Sequence, residues 1–259
     1  MPRNKRKRKN DLIKSYKRLC KNLKSSPNII DELKYHLNGG IDCNLCKNIM
    51  NEMIFNTNID AIKLLINNGY DLTFSLLKSV KYNNYEITNL LLVNGAYTDP
   101  MECYNGDTPL HISIRNGNDL LIKLLICYGC NPDIDNYCGH TPLMVAIKLN
   151  QISTVKLLLN YCNPNLTINK KTRSGIFREH KYFKEVILFG GMELFRILVP
   201  YTSLENLYQG LKLIKNHSTE RQSDQLKIEL IQTQILKIKT MMYEIFNFDI
   251  FNNIITYLS

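Results

Sequence analysis

The chain has 259 residues, 44% of them apolar and none tryptophan, which is enough to bury a sizeable core in one domain or two. No apolar run approaches the roughly 18 residues of a membrane span, and the start MPRNKRKRKN lacks the apolar core of a secretory signal, so no spanning segment and an intracellular location, cytoplasmic or nuclear, are expected. Of 33 basic and 23 acidic residues, eleven bases and one acid fall in residues 1–24; the remainder carries 22 of each, so the net charge of +10 sits on the amino-terminal segment and the body is neutral.

That distribution argues against a specific nucleic-acid-binding domain, which needs positive charge spread over a folded face. Residues 1–26 read as a basic tail, largely disordered or helical. Its cluster of Arg3, Lys5, Arg6, Lys7, Arg8 and Lys9 has the composition of a nuclear import signal, of an electrostatic arm for nucleic acid or anionic lipid, or of a simple solvated end.

From residue 27 a helical repeat takes over. NIIDELKYHLNGG reads as the second helix of a degenerate unit, and NLCKNIMNEMIFN as the first helix of the next. Leucine-rich second helices then end at Gly69 (IKLLINNG), Gly95 (TNLLLVNG), Gly129 (IKLLICYG) and Cys162 (VKLLLNYC), at intervals of 26, 34 and 33. The interval of 26 leaves room for two helices but shortens the finger between them, and YDLTFSLLKSV accordingly has no Thr-Pro-Leu.

The phrase GDTPLH at 106–111 returns 33 positions later as GHTPLM at 139–144. Thr108 ahead of Pro109, and Thr141 ahead of Pro142, place a capping hydroxyl before a proline at the first helical position, where its missing N–H and fixed φ are harmless. On the second helices, Ile122, Leu125 and Ile126, then Val155, Leu158 and Leu159, recur at i, i+3, i+4 and form one apolar face. Gly129 provides the permissive stop. A lone pair of such helices cannot bury its leucines, so units must stack. KYFKEVILFGGMELFRILVPYTS repeats the layout of helix, Gly-Gly break and helix, with Pro200 as terminator.

Residues 204–259 depart from the repeat. LENLYQGLKLIKNH is predicted helical, STERQSDQ is a polar link, and a longer helix carries Ile228, Ile231, Ile235, Ile238, Met242 and Ile245 at steps of 3 and 4. That stripe either caps the stack or docks a second protein.

Gly-x-Thr-Pro-Leu-His at a 33-residue period, followed by a leucine-rich helix, resembles the ankyrin repeat family over residues 96–165. The resemblance implies an all-α ankyrin-repeat solenoid of about five helix-turn-helix units over 27–203, closed by a helical C-terminal cap. It also implies a protein–protein interaction module, not an enzyme, that binds its partner through finger tips and first-helix surface. The structural positions of the motif are Gly106, Thr108, Pro109, Leu110, His111, Gly129, Gly139, Thr141, Pro142 and Leu143. Met144 stands where the family has histidine, so that residue's hydrogen bonds should be missing in the second unit. Tyr104 and Tyr137 each precede a repeat glycine by two positions and, with Asn105 and Asn136, are the candidate partner-binding residues. The ending YEIFNFDIFNNIITYLS resembles the F-box-like PRANC segment of large-DNA-virus ankyrin proteins, which implies, as the alternative function, a substrate receptor that recruits a ubiquitin ligase adaptor. The Leu-Pro pair that usually opens an F-box helix is absent before Phe251.

No catalytic constellation stands out. The Cys-x-x-Cys pairs, Cys43 with Cys46 and Cys127 with Cys130, lie in different units and read as structural, not as a zinc set. The five histidines contain no metalloprotease motif, and no phosphate-cradling loop or nucleophile elbow occurs. No cofactor and no metal are expected, and the eight cysteines read as reduced, mostly buried thiols.

Overall fold

The computed structural model describes residues 3–21, 28–45, 49–162, 168–171, 177–180, 186, 191–202, 204–217 and 222–245. The chain forms two compact units, Met1–Asn131 and Pro132–Ser259. The first holds α1 (Arg3–Lys21), α2 (Ile29–Asn38), a 3-10 turn (Cys43–Leu45), α3 (Ile49–Phe55), α4 (Ile59–Asn67), α5 (Ser75–Lys81), α6 (Tyr85–Val93), α7 (Pro109–Arg115) and α8 (Asp119–Cys127). The second holds α9 (Pro142–Lys148), α10 (Ile152–Leu158), strands β1 (Ile168–Lys171) and β2 (Phe177–His180), α11 (Met192–Leu198), a 3-10 turn (Val199–Tyr201), α12 (Leu204–His217) and α13 (Gln222–Ile245).

Two left-handed positions per repeat set the layout. The break inside each helix pair falls on Thr57, Asn83, Gly117 and Asn150, with φ of 54°, 57°, 67° and 54°. The end of each second helix falls on Gly40, Gly69, Gly95 and Gly129, with φ between 75° and 81°. At both, the next N–H reaches back across the helix end, as in Asn84 to Ser79 O (3.0 Å) and Cys130 to Leu125 O (3.1 Å), which satisfies carbonyls the helix leaves open. The residue after the break then caps the second helix. The Asn58, Asn84 and Asn118 side-chain oxygens accept from Ala61, Ile87 and Leu121 N–H at 2.9–3.0 Å.

Where the break residue is β-branched, this backbone is strained. Thr57 at φ 54° is exposed, while Asn occupies the equivalent positions 83 and 150. Asn tolerates the left-handed region, where a β-branched residue is a steric outlier. Thr57→Asn is expected to raise stability by about 1 kcal/mol in urea unfolding.

The helix pairs bury their apolar faces completely. Leu76 and Val80 of α5, Ile87 and Leu91 of α6, Leu110 and Ile114 of α7, and Leu121, Ile122 and Leu125 of α8 are each 0% exposed. Adjacent pairs are tied by side chains: Asn116 Nδ2 donates to Val80 O (3.0 Å) and Asn118 Nδ2 to Asn83 Oδ1 (2.8 Å). Pro109 and Pro142 open α7 and α9 behind Thr108 and Thr141, as the motif predicts.

The histidine position behaves as the substitution predicts. His111 Nδ1 accepts the Thr108 N–H (3.2 Å) and lies 2.9 Å from the Thr108 hydroxyl, whereas at the second copy only the Met144 N–H to Thr141 Oγ1 bond (3.3 Å) is present.

Three features differ from the expected layout. First, the basic amino-terminal segment, for which helix was one of two alternatives, is helical over Arg3–Lys21 and also contributes to the core, with Tyr16 and Leu19 buried. Second, the helical fold admits one antiparallel hairpin, pairing Ile168 with His180 and Lys171 with Phe177, where no strand was expected. Ile168 and Phe177 favour extended backbone. Third, α10 stops at Leu158, short of Asn160, the counterpart of α8's last residue. Cys162 stands where Gly129 does and cannot adopt a left-handed end cheaply, so its N–H turns back to Leu158 O (3.0 Å) instead.

Of the expected helix pairs, the first unit holds three complete described ones, α3/α4, α5/α6 and α7/α8, with α2 as a flanking second helix and α1 ahead of it; the second unit holds α9/α10, with α11 as a flanking second helix. Val186 is buried, but most of the helix expected ahead of Gly191 lies outside the described residues. Helix α11 ends one residue before the 3-10 turn that contains Pro200.

Candidate partner-binding surface

The finger between α6 and α7 is folded back on itself. Glu102 N–H donates to Asp107 O and Gly106 N–H to Glu102 O, both at 3.0 Å, around Gly106 at φ 71°. Asn105 Oδ1 accepts the Asp107 N–H (3.0 Å), and its Nδ2 donates to Asp107 Oδ2 (2.8 Å). Arg115 Nε, one helix later, donates to the same oxygen (2.9 Å). The Asp107 side chain is only 2% exposed, so this carboxylate is the anchor of the finger. A bridge from Lys81 Nζ to Glu102 Oε1 (3.1 Å) ties the finger to α5; being solvent-exposed it is worth at most about 1 kcal/mol, and its effect is positional.

The finger so held leaves an open pocket of about 270 Å3 against α5 and α7. Leu77 and Ile112 form its floor, Phe74 and Met101 its walls, and Lys78 its rim. Tyr104 stands beside it at the fingertip, 94% exposed. Across Phe74, itself 61% exposed, a second pocket of about 450 Å3 is bordered by Asn44, Asn51 and Asp71. The Thr73 hydroxyl and N–H both donate to Asp71 and hold its carboxyl below the usual carboxylate range.

The predicted partner-binding residues therefore divide. Tyr104 is free at a fingertip, whereas Asn105 is committed to the turn. In the second unit, Asn136 is buried and its Oδ1 accepts from Cys138 N–H (3.0 Å) and His140 N–H (3.1 Å), which makes it a turn former; Tyr137 is half-buried. The pocket residues Phe74, Leu77, Lys78 and Met101 were not singled out from the sequence. The missing Thr-Pro-Leu ahead of α5 pointed only to the short finger that ends in the exposed Phe74.

The repeat-motif residues serve the scaffold, with Gly106, Thr108, Pro109, Leu110 and His111, and likewise Gly139, Thr141, Pro142 and Leu143, all buried. The basic residues Arg3, Lys5, Arg6, Lys7, Arg8 and Lys9 lie on the first turns of α1. Among the described residues no group of three or more His, Cys, Asp or Glu could hold a metal ion, and no helix is long and apolar enough to cross a membrane.

The six described thiols fall into two sets. Cys103, Cys127 and Cys138 are exposed. Burial, reinforced by Asp99, pushes Cys130 up to about 12, and burial with Asp133 does the same for Cys162; burial and Asp42 raise Cys43. Iodoacetamide at neutral pH is expected to modify Cys103, Cys127 and Cys138 before Cys43, Cys130 and Cys162, as read by peptide mass spectrometry. The linkage sign is also set. Below pH 9 both states carry the Cys130 proton; between about 9 and 12 only the folded state keeps it, so stability falls as pH rises. In that window wild type should lose up to about 1.4 kcal/mol per pH unit relative to Cys130→Ala.

In the first unit, successive helix pairs pack against one another beside a pinned finger, which is the architecture of a helical repeat. Residues 76–169 match the family model for ankyrin repeats in three copies. The chain is 30% identical over 87 residues to a fowlpox virus (strain NVSL) protein described as an ankyrin repeat protein, an alignment covering 30% of this chain and 26% of that one. The chain thus spans about a quarter of the relative it matches.

Proposed function

We propose that the chain is a protein–protein interaction module whose first unit recognises a partner protein through the finger at 101–104 and the pocket that finger forms against α5 and α7. The observation that carries this reading is the apolar pocket between a pinned finger and two first helices, with Tyr104 presented beside it. A rigid, pre-formed apolar recess with an amphipathic aromatic at its edge is the arrangement that supplies binding energy at protein interfaces, because little ordering cost remains to be met on association.

The test is affinity capture from cell lysate with the full chain and with Tyr104→Ala, followed by mass spectrometry and thermal melting. Tyr104→Ala is expected to leave Tm nearly unchanged, within about 0.5 kcal/mol of wild type, while reducing recovery of a specific partner. Equal recovery by both chains would overturn the reading.

In the second unit, α13 buries Ile231 and Ile235 and sets Lys227 Nζ 5.9 Å from the Phe195 ring of α11, with Ile228 and Ile238 half-buried. This supports a capping role for the stripe; its Met242 and Ile245 side chains lie outside the described residues. So does 246–259, the stretch on which recruitment of a ubiquitin ligase adaptor would rest. The basic cluster at 3–9 is proposed as an import signal, tested by locating a fluorescent fusion with and without its six basic residues.

A further inference from the structure

The pocket's volume and the charges around it define what enters it. At about 270 Å3 it lies below the roughly 300–1,000 Å3 of small-molecule and cofactor sites, and suits one or two side chains instead. Its floor, Leu77 and Ile112, is 8% exposed at each residue and offers no charged group, so the inserted group is apolar.

The rim is basic. Lys81 is neutralised by Glu102 at 3.1 Å, but Lys78, one residue beyond Leu77 on α5, has no carboxylate within ion-pair distance among the described residues. Across Phe74, at the other end of α5, the ionised group is the Asp71 carboxylate. A ligand lying along α5 thus meets negative charge near Phe74's far side and an unneutralised positive charge beside the apolar pocket.

Resting on the reading that the first unit binds protein, we propose that this pocket takes a short linear segment of the partner that inserts one bulky apolar side chain onto Leu77 and Ile112, against Met101. A neighbouring Asp or Glu of that segment pairs with Lys78. The apolar side chain supplies affinity by leaving water, and the carboxylate fixes direction and selects against basic segments.

The experiment is selection of random dodecapeptides displayed on phage against the immobilised full chain, with affinities of the enriched peptides then measured for wild type and Lys78→Glu. Lys78 is a partly exposed helix position, so the variant is expected to fold. The expected result is enrichment of peptides that join a large apolar residue to a nearby acid. Lys78→Glu should weaken them about tenfold, and exchanging the acid for Lys in the peptide should restore binding to the variant. Bound peptide should also slow alkylation of Cys103, which lines the pocket, without slowing Cys127.

Peptides that protect Cys103 yet show no acid, or that bind Lys78→Glu as well as wild type, overturn the carboxylate pairing and leave the interaction module standing. Peptides that leave Cys103 unprotected, or an absence of enrichment, overturn the pocket as a linear-segment site. The module itself is decided separately by the lysate capture, which reads a folded partner.

Discussion

Replacing Tyr16 with Ala is expected to destabilise the first unit by about 3–5 kcal/mol, a loss usually reserved for the centre of a core. The residue lies within the basic amino-terminal segment yet is 0% exposed, and its hydroxyl donates to Cys43 O at 3.1 Å. Next to it Ser15 Oγ lies 3.0 Å from His36 Nε2, and Leu12 approaches Gly39 so closely that a Cβ there would collide with it. Removing the ring leaves a cavity between α1 and α2 that neither helix can close without breaking these contacts. Tyr16→Phe keeps the ring and loses one hydrogen bond, so it should cost only about 1 kcal/mol. Urea unfolding of both variants checks this. Equal, small losses would mean that α1 is not part of the folded unit.

That helix also marks where reading the sequence fell short. Eleven bases in residues 1–24 dominate the segment, yet Leu12 or Ile13, Tyr16 and Leu19 recur at helical spacing beneath them. Charge and burial are set by different faces of one helix, and the count of charges concealed the stripe. Elsewhere the repeat was legible because its grammar is local. Thr-Pro starts α7 and α9, and glycine ends the second helices. The second left-handed register was harder to see because Thr57, Asn83, Gly117 and Asn150 share a backbone conformation and no residue type.

The binding surface was half legible for a related reason. Spacing from the repeat glycine put Tyr104 and Tyr137 in equivalent places, but exposure depends on what packs beside each finger. One is 94% exposed and the other half-buried. The pocket itself joins Phe74 and Leu77 to Met101 and Ile112, residues brought together only when α5, a finger and α7 pack. Periodicity along one helix carries no information about that meeting.

Asp107→Ala should cost about 2–3 kcal/mol and, although Asp107 does not line the pocket, weaken any peptide bound there. The carboxylate is 2% exposed and receives both Arg115 Nε at 2.9 Å and Asn105 Nδ2 at 2.8 Å. Breaking a fully buried ion pair costs about 3–5 kcal/mol, but the Arg115 side chain is 45% exposed and regains water when its partner is gone, which lowers the figure. A double-mutant cycle with Arg115→Ala should therefore return a coupling of about 1–2 kcal/mol, the rest being the turn held by Asn105. The second unit supports the same geometry with other chemistry. There, at positions 33 residues later, Lys148 Nζ lies 2.9 Å from His140 Nε2. A pair bridging the finger and the end of the first helix is thus retained while its charge type changes, which argues that its role is to fix the finger's place. Without Asp107 the finger loses that place, so Met101 and Tyr104 must be ordered again at each binding event. Hydrogen exchange should rise across 101–107 and not across α5, and the affinity of a pocket-bound peptide should fall with unchanged sequence preference. A fall confined to acidic peptides would instead assign Asp107 a direct electrostatic part in selection.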